Sequence, residues 1–228
     1  FRKPFAVANY EGSASIPGLP DIDLKILYIV AQVIGYAASK FLGIKVVSEL
    51  PAKKRAAAIA FFITIAWLSL LIFAIIPVPY NSIAMVLNGL PLGMIWGLVF
   101  GFLEGRKVSD LLGAGLCASF IVASGFVKSA GRWVMDAGVS ETWMPFVTGG
   151  CFLPPLAFFL WMLSQVPAPS AADIEARVER KPMGSAERRA FFAAYAPGLI
   201  LLVLGYVMLT AYRDFRDNFA REVWDALG

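Results

Sequence analysis

Lys40 and Lys45 lie inside an apolar helical stretch, Gln32 to Arg55 (QVIGYAASKFLGIKVVSELPAKKR), and Arg2 and Lys3 sit side by side in the opening run FRKPFAVANY. An ionisable residue inside a membrane span is rare and marks a functional site with a partner to be named. Basic residues held there would attract anions. Guanidinium offers a planar fork for two oxygens of a carboxylate or phosphate, and ammonium adds a point charge. Lys40 lies seven residues before Val47. That is about 10 Å of helix, more than a lysine stem comfortably covers. It lines a cavity or stretches toward the headgroups. Lys45, two residues from the end of its helix, snorkels to the headgroup region. Lys128, toward the far end of a later span, reads as interfacial. Arg2 and Lys3 are either a cytoplasmic flank or intramembrane charges. The acidic loop that follows Tyr10 and the absence of an initial Met favour the second.

Helices must position these charges, and two small-residue stripes indicate how they pack. Gly35, Ser39 and Gly43 recur every four residues along one face of the Lys40 helix, and Lys40 projects roughly 100° from them. Gly89, Gly93, Gly97 and Gly101 repeat the same step in a second apolar run, with Gly105 just outside. In lipid, small residues let backbones approach, since Leu against lipid gains nothing over Leu against Leu. Close packing on a neighbouring helix is the first reading of the glycine series. A groove that serves transport movements is the second.

The composition supports a membrane protein. Of 228 residues, 59% are hydrophobic, and the mean hydropathy is +0.71. Soluble domains run near 45–50% apolar. There is no histidine, the commonest metal ligand and neutral-pH proton carrier. Cys117 and Cys151 fall inside apolar segments with no metal-ligand spacing. No metal site, cofactor motif or catalytic nucleophile motif is present, so an enzyme is not expected.

Spans are predicted over Leu24–Val47, Ala56–Ile76, Ile83–Leu103, Leu111–Met135, Trp143–Leu163 and Phe191–Tyr212. About 20 residues cover the hydrocarbon core. Phe1–Tyr10 is too short to cross and reads as a stray end or the second half of a truncated helix. Glu11–Asp23 reads as a loop. Residues 165–189 are polar and charged, and read as a linker carrying a short helix. Basic residues collect in loops 48–55, 104–109 and 165–189, and the alternate loops are acidic or uncharged. The positive-inside rule puts the basic loops in the cytoplasm.

This plan resembles a major facilitator superfamily transporter, in which two six-helix bundles are joined by a cytoplasmic linker. The resemblance divides the chain into residues 1–164 (a first bundle with its helix 1 truncated), 165–189 (linker) and 190–228 (helix 7). The expected fold is an all-α polytopic transmembrane bundle, about half of the full architecture. GIKVVSELPAKKR stands where the superfamily's helix 2–3 loop motif falls, with Gly43, Glu49 and Lys53–Arg55 in place of the usual Gly-x-x-x-Asp-Arg pattern. FRKPFA, YAASKFLG, LCAS and AYRDFRDNF resemble, in order, segments of the organophosphate:phosphate antiporter branch. A related bacterial group of the superfamily whose function is not established fits the same residues.

That resemblance implies a substrate site of Arg2, Lys3, Lys40, Ser119 and an arginine of helix 7, Arg213 or Arg216. Ser119 stands where the branch has a histidine. It further implies a bacterial inner-membrane transporter whose partners are the lipid bilayer, a small anionic solute and a missing second bundle, with no nucleic acid. A transporter-like receptor or structural membrane protein is the alternative. Residues 213–224 have two readings, outside the membrane by hydropathy or helical and facing a cavity by resemblance. If helical, Arg213 and Asp217 can pair and Phe215 and Phe219 share a face. The chain reads as an internal piece of a longer protein, since it opens on Phe1 and closes inside a charged helical pattern.

Overall fold

Asp23 starts the first long helix. Its carboxylate accepts the backbone N–H of Lys25 at 2.8 Å and of Ile26 at 3.3 Å, two donors that lack partners within a helix. Helix α1 then runs Leu24–Glu49 and ends just before Pro51, which disfavours helix in the residue preceding it. Helix α2 (Arg55–Ile75) stops ahead of Pro77 and Pro79, and α3 (Ser82–Leu103) and α4 (Ser109–Asp136) follow. The computed structural model describes residues 1–15, 20–175 and 184–227, with the side chains of Ile44, Lys45 and Ser48 outside that description. Lys45 as a headgroup lysine therefore lies outside the described residues.

Among the described residues, the chain is an all-α helical bundle with one small strand pair. It divides into two compact units, Phe1–Glu175 and Ala176–Gly228, each described by itself. Among the described residues, five helices are long and apolar enough to cross a membrane, or six if the bent pair α5 (Met144–Cys151) and α6 (Leu153–Ser164) is one span. That pair bends by 43° at Phe152. Pro154 and Pro155 lack the N–H groups that would bond back into α5, so the predicted span at Trp143–Leu163 breaks there.

The amino-terminal segment differs from the expectation of half a span. Only Pro4–Val7 is helical, as one 3-10 turn. Glu141 takes the backbone N–H of Asn9 at 3.1 Å and of Tyr10 at 2.9 Å, and Tyr10 has φ +51°. With those donors spent on a carboxylate and a left-handed residue next in line, a helix cannot continue. Beyond it, β1 (Ser13–Ala14) pairs antiparallel with β2 (Ile22–Asp23), so the predicted loop holds a short ribbon.

The two small-residue stripes meet between α1 and α3. A Cβ built on Gly35 would overlap the Val86 carbonyl oxygen, one on Gly89 the Gln32 carbonyl oxygen, and one on Gly93 the Ser39 Oγ. At Gly43 and Gly97 the first neighbours are side chains instead, Met94 Cγ at 3.0 Å and Val47 Cγ1 at 3.3 Å. At Gly101 the Arg55 guanidinium takes the space, donating to the Gly101 carbonyl at 2.6 Å. Backbone therefore touches backbone only along the first part of α3.

The basic loops 48–55 and 104–109 and the first residues of the linker share one end of the first unit. Beside the Arg55–Gly101 contact, Arg106 donates to the Pro167 carbonyl at 2.5 Å and the Lys107 N–H to Asp173 at 2.9 Å. Helix α7 (Ala171–Glu175) is the short helix expected in the linker, and linker residues 176–183 lie outside the described residues. In the second unit, α8 (Ser185–Leu227) continues well past Tyr212, with a break in helical geometry at Phe219.

Candidate functional site

The geometry converges on the row Gln32, Tyr36 and Lys40, one helical turn apart on α1. Tyr36 stands near the middle of α1, roughly 18 Å of helix from either end. The Arg2 guanidinium lies over its ring at 4.9 Å from the centroid, and Lys40 Nζ at 4.8 Å. Both fall inside the ~6 Å reach at which a ring's negative face attracts a cation. The 3-10 turn brings Arg2 there from outside α1, through a segment whose Phe5 is buried against Tyr10.

Two buried amides adjoin the cations. Gln32 is 3% exposed and Asn88 is fully buried. Arg2 Nε donates to Gln32 Oε1 at 3.4 Å, and Gln32 Nε2 donates to Asn88 Oδ1 at 2.8 Å. Asn88 Nδ2 donates in turn to the Ala66 carbonyl at 2.8 Å. These bonds link the amino-terminal segment, α1, α3 and α2. The close α1–α3 approach is what puts a short Asn within reach of Gln32, since Gly89 follows Asn88 directly and abuts the Gln32 backbone.

An aromatic group packs around Tyr28, one turn before Gln32 on α1. Tyr28 packs edge-on to Phe73 at 5.0 Å and to Tyr10 at 5.3 Å. Burial pushes the Tyr10 hydroxyl well above its ordinary pKa, and the Glu141 carboxylate adds to that.

Of the residues singled out by sequence, Arg2 and Lys40 are brought together. Lys3 lies half-buried beside Arg2, its carbonyl accepting the Ala6 N–H at 3.2 Å in the turn. Ser119 is exposed on α4 and donates to the Leu116 carbonyl at 2.7 Å within its own helix. No contact joins it to the Tyr36 cluster among the described residues. Arg213 and Arg216 are exposed on α8, in the second unit. Arg213 pairs with Asp214 at 3.2 Å rather than with Asp217. The neighbouring carboxylate takes both Nε and Nη2 on one oxygen. Phe215 and Phe219 do share a face, with rings 5.5 Å apart.

Sequence reasoning passed over Tyr36, Gln32 and Asn88. A signal for each existed. Gln32 and Tyr36 stand eight and four residues before Lys40, on its own row, and Asn88 is a lone amide within the apolar run of α3. Among the described residues, no group of His, Cys, Asp and Glu could hold a metal ion.

A family model described as a family of unknown function (DUF5690) matches residues 4–228. The chain belongs to this family. A search of curated proteins found no match, and neither did a search of solved structures. In this DUF5690 chain the site is two cations on one tyrosine ring, half-way along an apolar helix and backed by buried amides.

Proposed function

We propose that this protein is a secondary transporter of a small anionic solute, phosphorylated or carboxylated, working by alternating access in a bacterial inner membrane on a major facilitator superfamily plan. The observation that carries this reading is the placement of Arg2 and Lys40 on the same Tyr36 ring near the middle of α1. Two like charges held on one ring repel, and an anion bound by both would relieve that repulsion. Screening by bulk water is weak at such depth, so each contact counts for more than a surface ion pair, which is worth ~0–1 kcal/mol. Mid-membrane sites are also where transporters built from repeats bind substrate. The shared end of loops 48–55 and 104–109 with the start of the linker supports the orientation, with loops 48–55, 104–109 and 165–189 in the cytoplasm.

The test is exchange in proteoliposomes loaded with unlabelled anion, offered labelled inorganic phosphate, a sugar phosphate or a dicarboxylate. At least one should accumulate. Arg2→Gln and Lys40→Gln should fold normally and weaken binding of that anion about tenfold or more, ~1.4 kcal/mol each, by calorimetry. Lys45→Gln, on the same helix, should do little. Anion binding without exchange would replace the transporter reading by a receptor. Equal effects at both lysines, or none at Lys40, would sink the anion site.

A further inference from the structure

The Asn88 amide is oriented by chemistry rather than by chance. The Ala66 carbonyl, which also accepts the Ser69 hydroxyl at 2.7 Å, can only accept. The Asn88 atom facing it at 2.8 Å must therefore be the nitrogen. Asn88 Oδ1 is then turned to Gln32, and only the Gln32 nitrogen can donate to it. Gln32 is left presenting its oxygen to the Arg2 Nε–H. Each amide holds one donor end and one acceptor end, so direction passes from α2 through α3 to α1 without choice at any step. Reversing either amide would set donor against donor or acceptor against acceptor in a buried place, where unmade hydrogen bonds are costly.

From this geometry we infer that Gln32 and Asn88 are positioning residues for Arg2: an amide relay rooted on the Ala66 carbonyl holds the guanidinium by Nε while Tyr36 holds it by its face. The inference rests on the reading of Arg2 as an anion-binding cation. Two constraints, one edge and one face, set the plane of the fork before an anion arrives. Pre-setting a flexible arginine removes ordering that binding would otherwise have to supply. Neutral amides suit the role. A carboxylate at position 32 would still accept from Arg2, but it would set an acceptor against Asn88 Oδ1 and compete with the anion for the arginine's charge.

The relay is tested on the full chain in nanodiscs with isotope-labelled arginine, where the Arg2 Nε–H resonance is the one lost in Arg2→Lys. In the wild type that proton should exchange with solvent much more slowly than in a free arginine. Gln32→Met, similar in shape but without the acceptor, should speed exchange at least about tenfold, the equivalent of ~1.4 kcal/mol. Asn88→Leu should do the same at one remove. Gln32→Glu keeps the acceptor for Arg2 while losing the donor to Asn88 Oδ1, so exchange should stay slower than in Gln32→Met while inorganic phosphate binding weakens at least about tenfold, a split that general loosening of the fold would not produce. Fast Nε–H exchange in the wild type, or equal exchange in wild type and folded Gln32→Met, would overturn the relay. If Gln32→Met does not fold, the wild-type rate and the Gln32→Glu split still decide. The exchange measurement contains no anion. Failure of the wild type to bind any anion would therefore remove the transport reading and leave the relay standing.

Discussion

Adding one methyl group at successive glycines of α3 should divide them sharply, because the neighbour each methyl meets differs in kind. At Gly89 the new Cβ runs into the Gln32 carbonyl oxygen and lies 2.8 Å from the Tyr36 backbone nitrogen. Helix backbone cannot step aside, so α1 and α3 must separate. At Gly97 the nearest atom is Val47 Cγ1 at 3.3 Å, a side chain that can shift by a few tenths of an ångström. At Gly115 on α4 nothing lies within 4 Å. Overpacking costs about 1–3 kcal/mol, and replacing Gly by Ala in a helix returns up to about 1 kcal/mol. Gly89→Ala also stretches the buried Gln32–Asn88 bond, whose loss adds about 1–3 kcal/mol. The net for Gly89→Ala is a loss of roughly 1–5 kcal/mol, against near neutrality for Gly97→Ala and a small gain for Gly115→Ala. Gly97→Leu, which fills the space beyond Val47, should fold poorly. Thermal unfolding of the purified variants, followed by tryptophan fluorescence, reads the order. A Gly89→Ala protein as stable as Gly97→Ala would refute the close backbone approach and, with it, the geometry that joins Gln32 to Asn88.

Asp173 accepts the Lys107 N–H, then the Ser170 N–H and hydroxyl, and these bonds hold its carboxyl down to about 2. A depressed value means that the attachment is complete above the ordinary carboxylate pKa of about 4 and is lost only as pH falls toward 2. Hydrogen exchange at the Lys107 amide should stay slow down to about pH 4 and quicken below it, whereas Asp173→Asn should be fast throughout; a wild-type transition near pH 6 would contradict this. For topology, single cysteines at Ala52 and Ser170, in a background lacking Cys117 and Cys151, should resist an impermeant thiol reagent in intact cells. Labelling of either from outside would reverse the proposed orientation.

The all-α character and the position of nearly every long helix were legible in the sequence. Apolar run length against bilayer thickness is a local property, and so are the prolines that end α1 and α2. The small-residue stripes were legible too, as periodicity on one helix at a time. Two local readings failed where another partner intervened, one distant and one adjacent. Phe1–Tyr10 looks like the end of a helix until Glu141, far along the chain, takes the N–H groups of Asn9 and Tyr10. Arg213 and Asp217 have pairing spacing, yet Asp214 lies closer to hand. The charges at Arg2 and Lys40 could be suspected from the cost of placing them in an apolar segment. That they meet on Tyr36 could not, because no spacing rule relates residue 2 to residue 40. Only the turn at Pro4–Val7 and the glycine-permitted contact of α1 with α3 bring Arg2, Gln32 and Asn88 within hydrogen-bonding distance. Sequence sets which residues a helix face carries. Which faces meet, and so which amide points its oxygen at an arginine, follows from backbone packing between segments far apart in the chain.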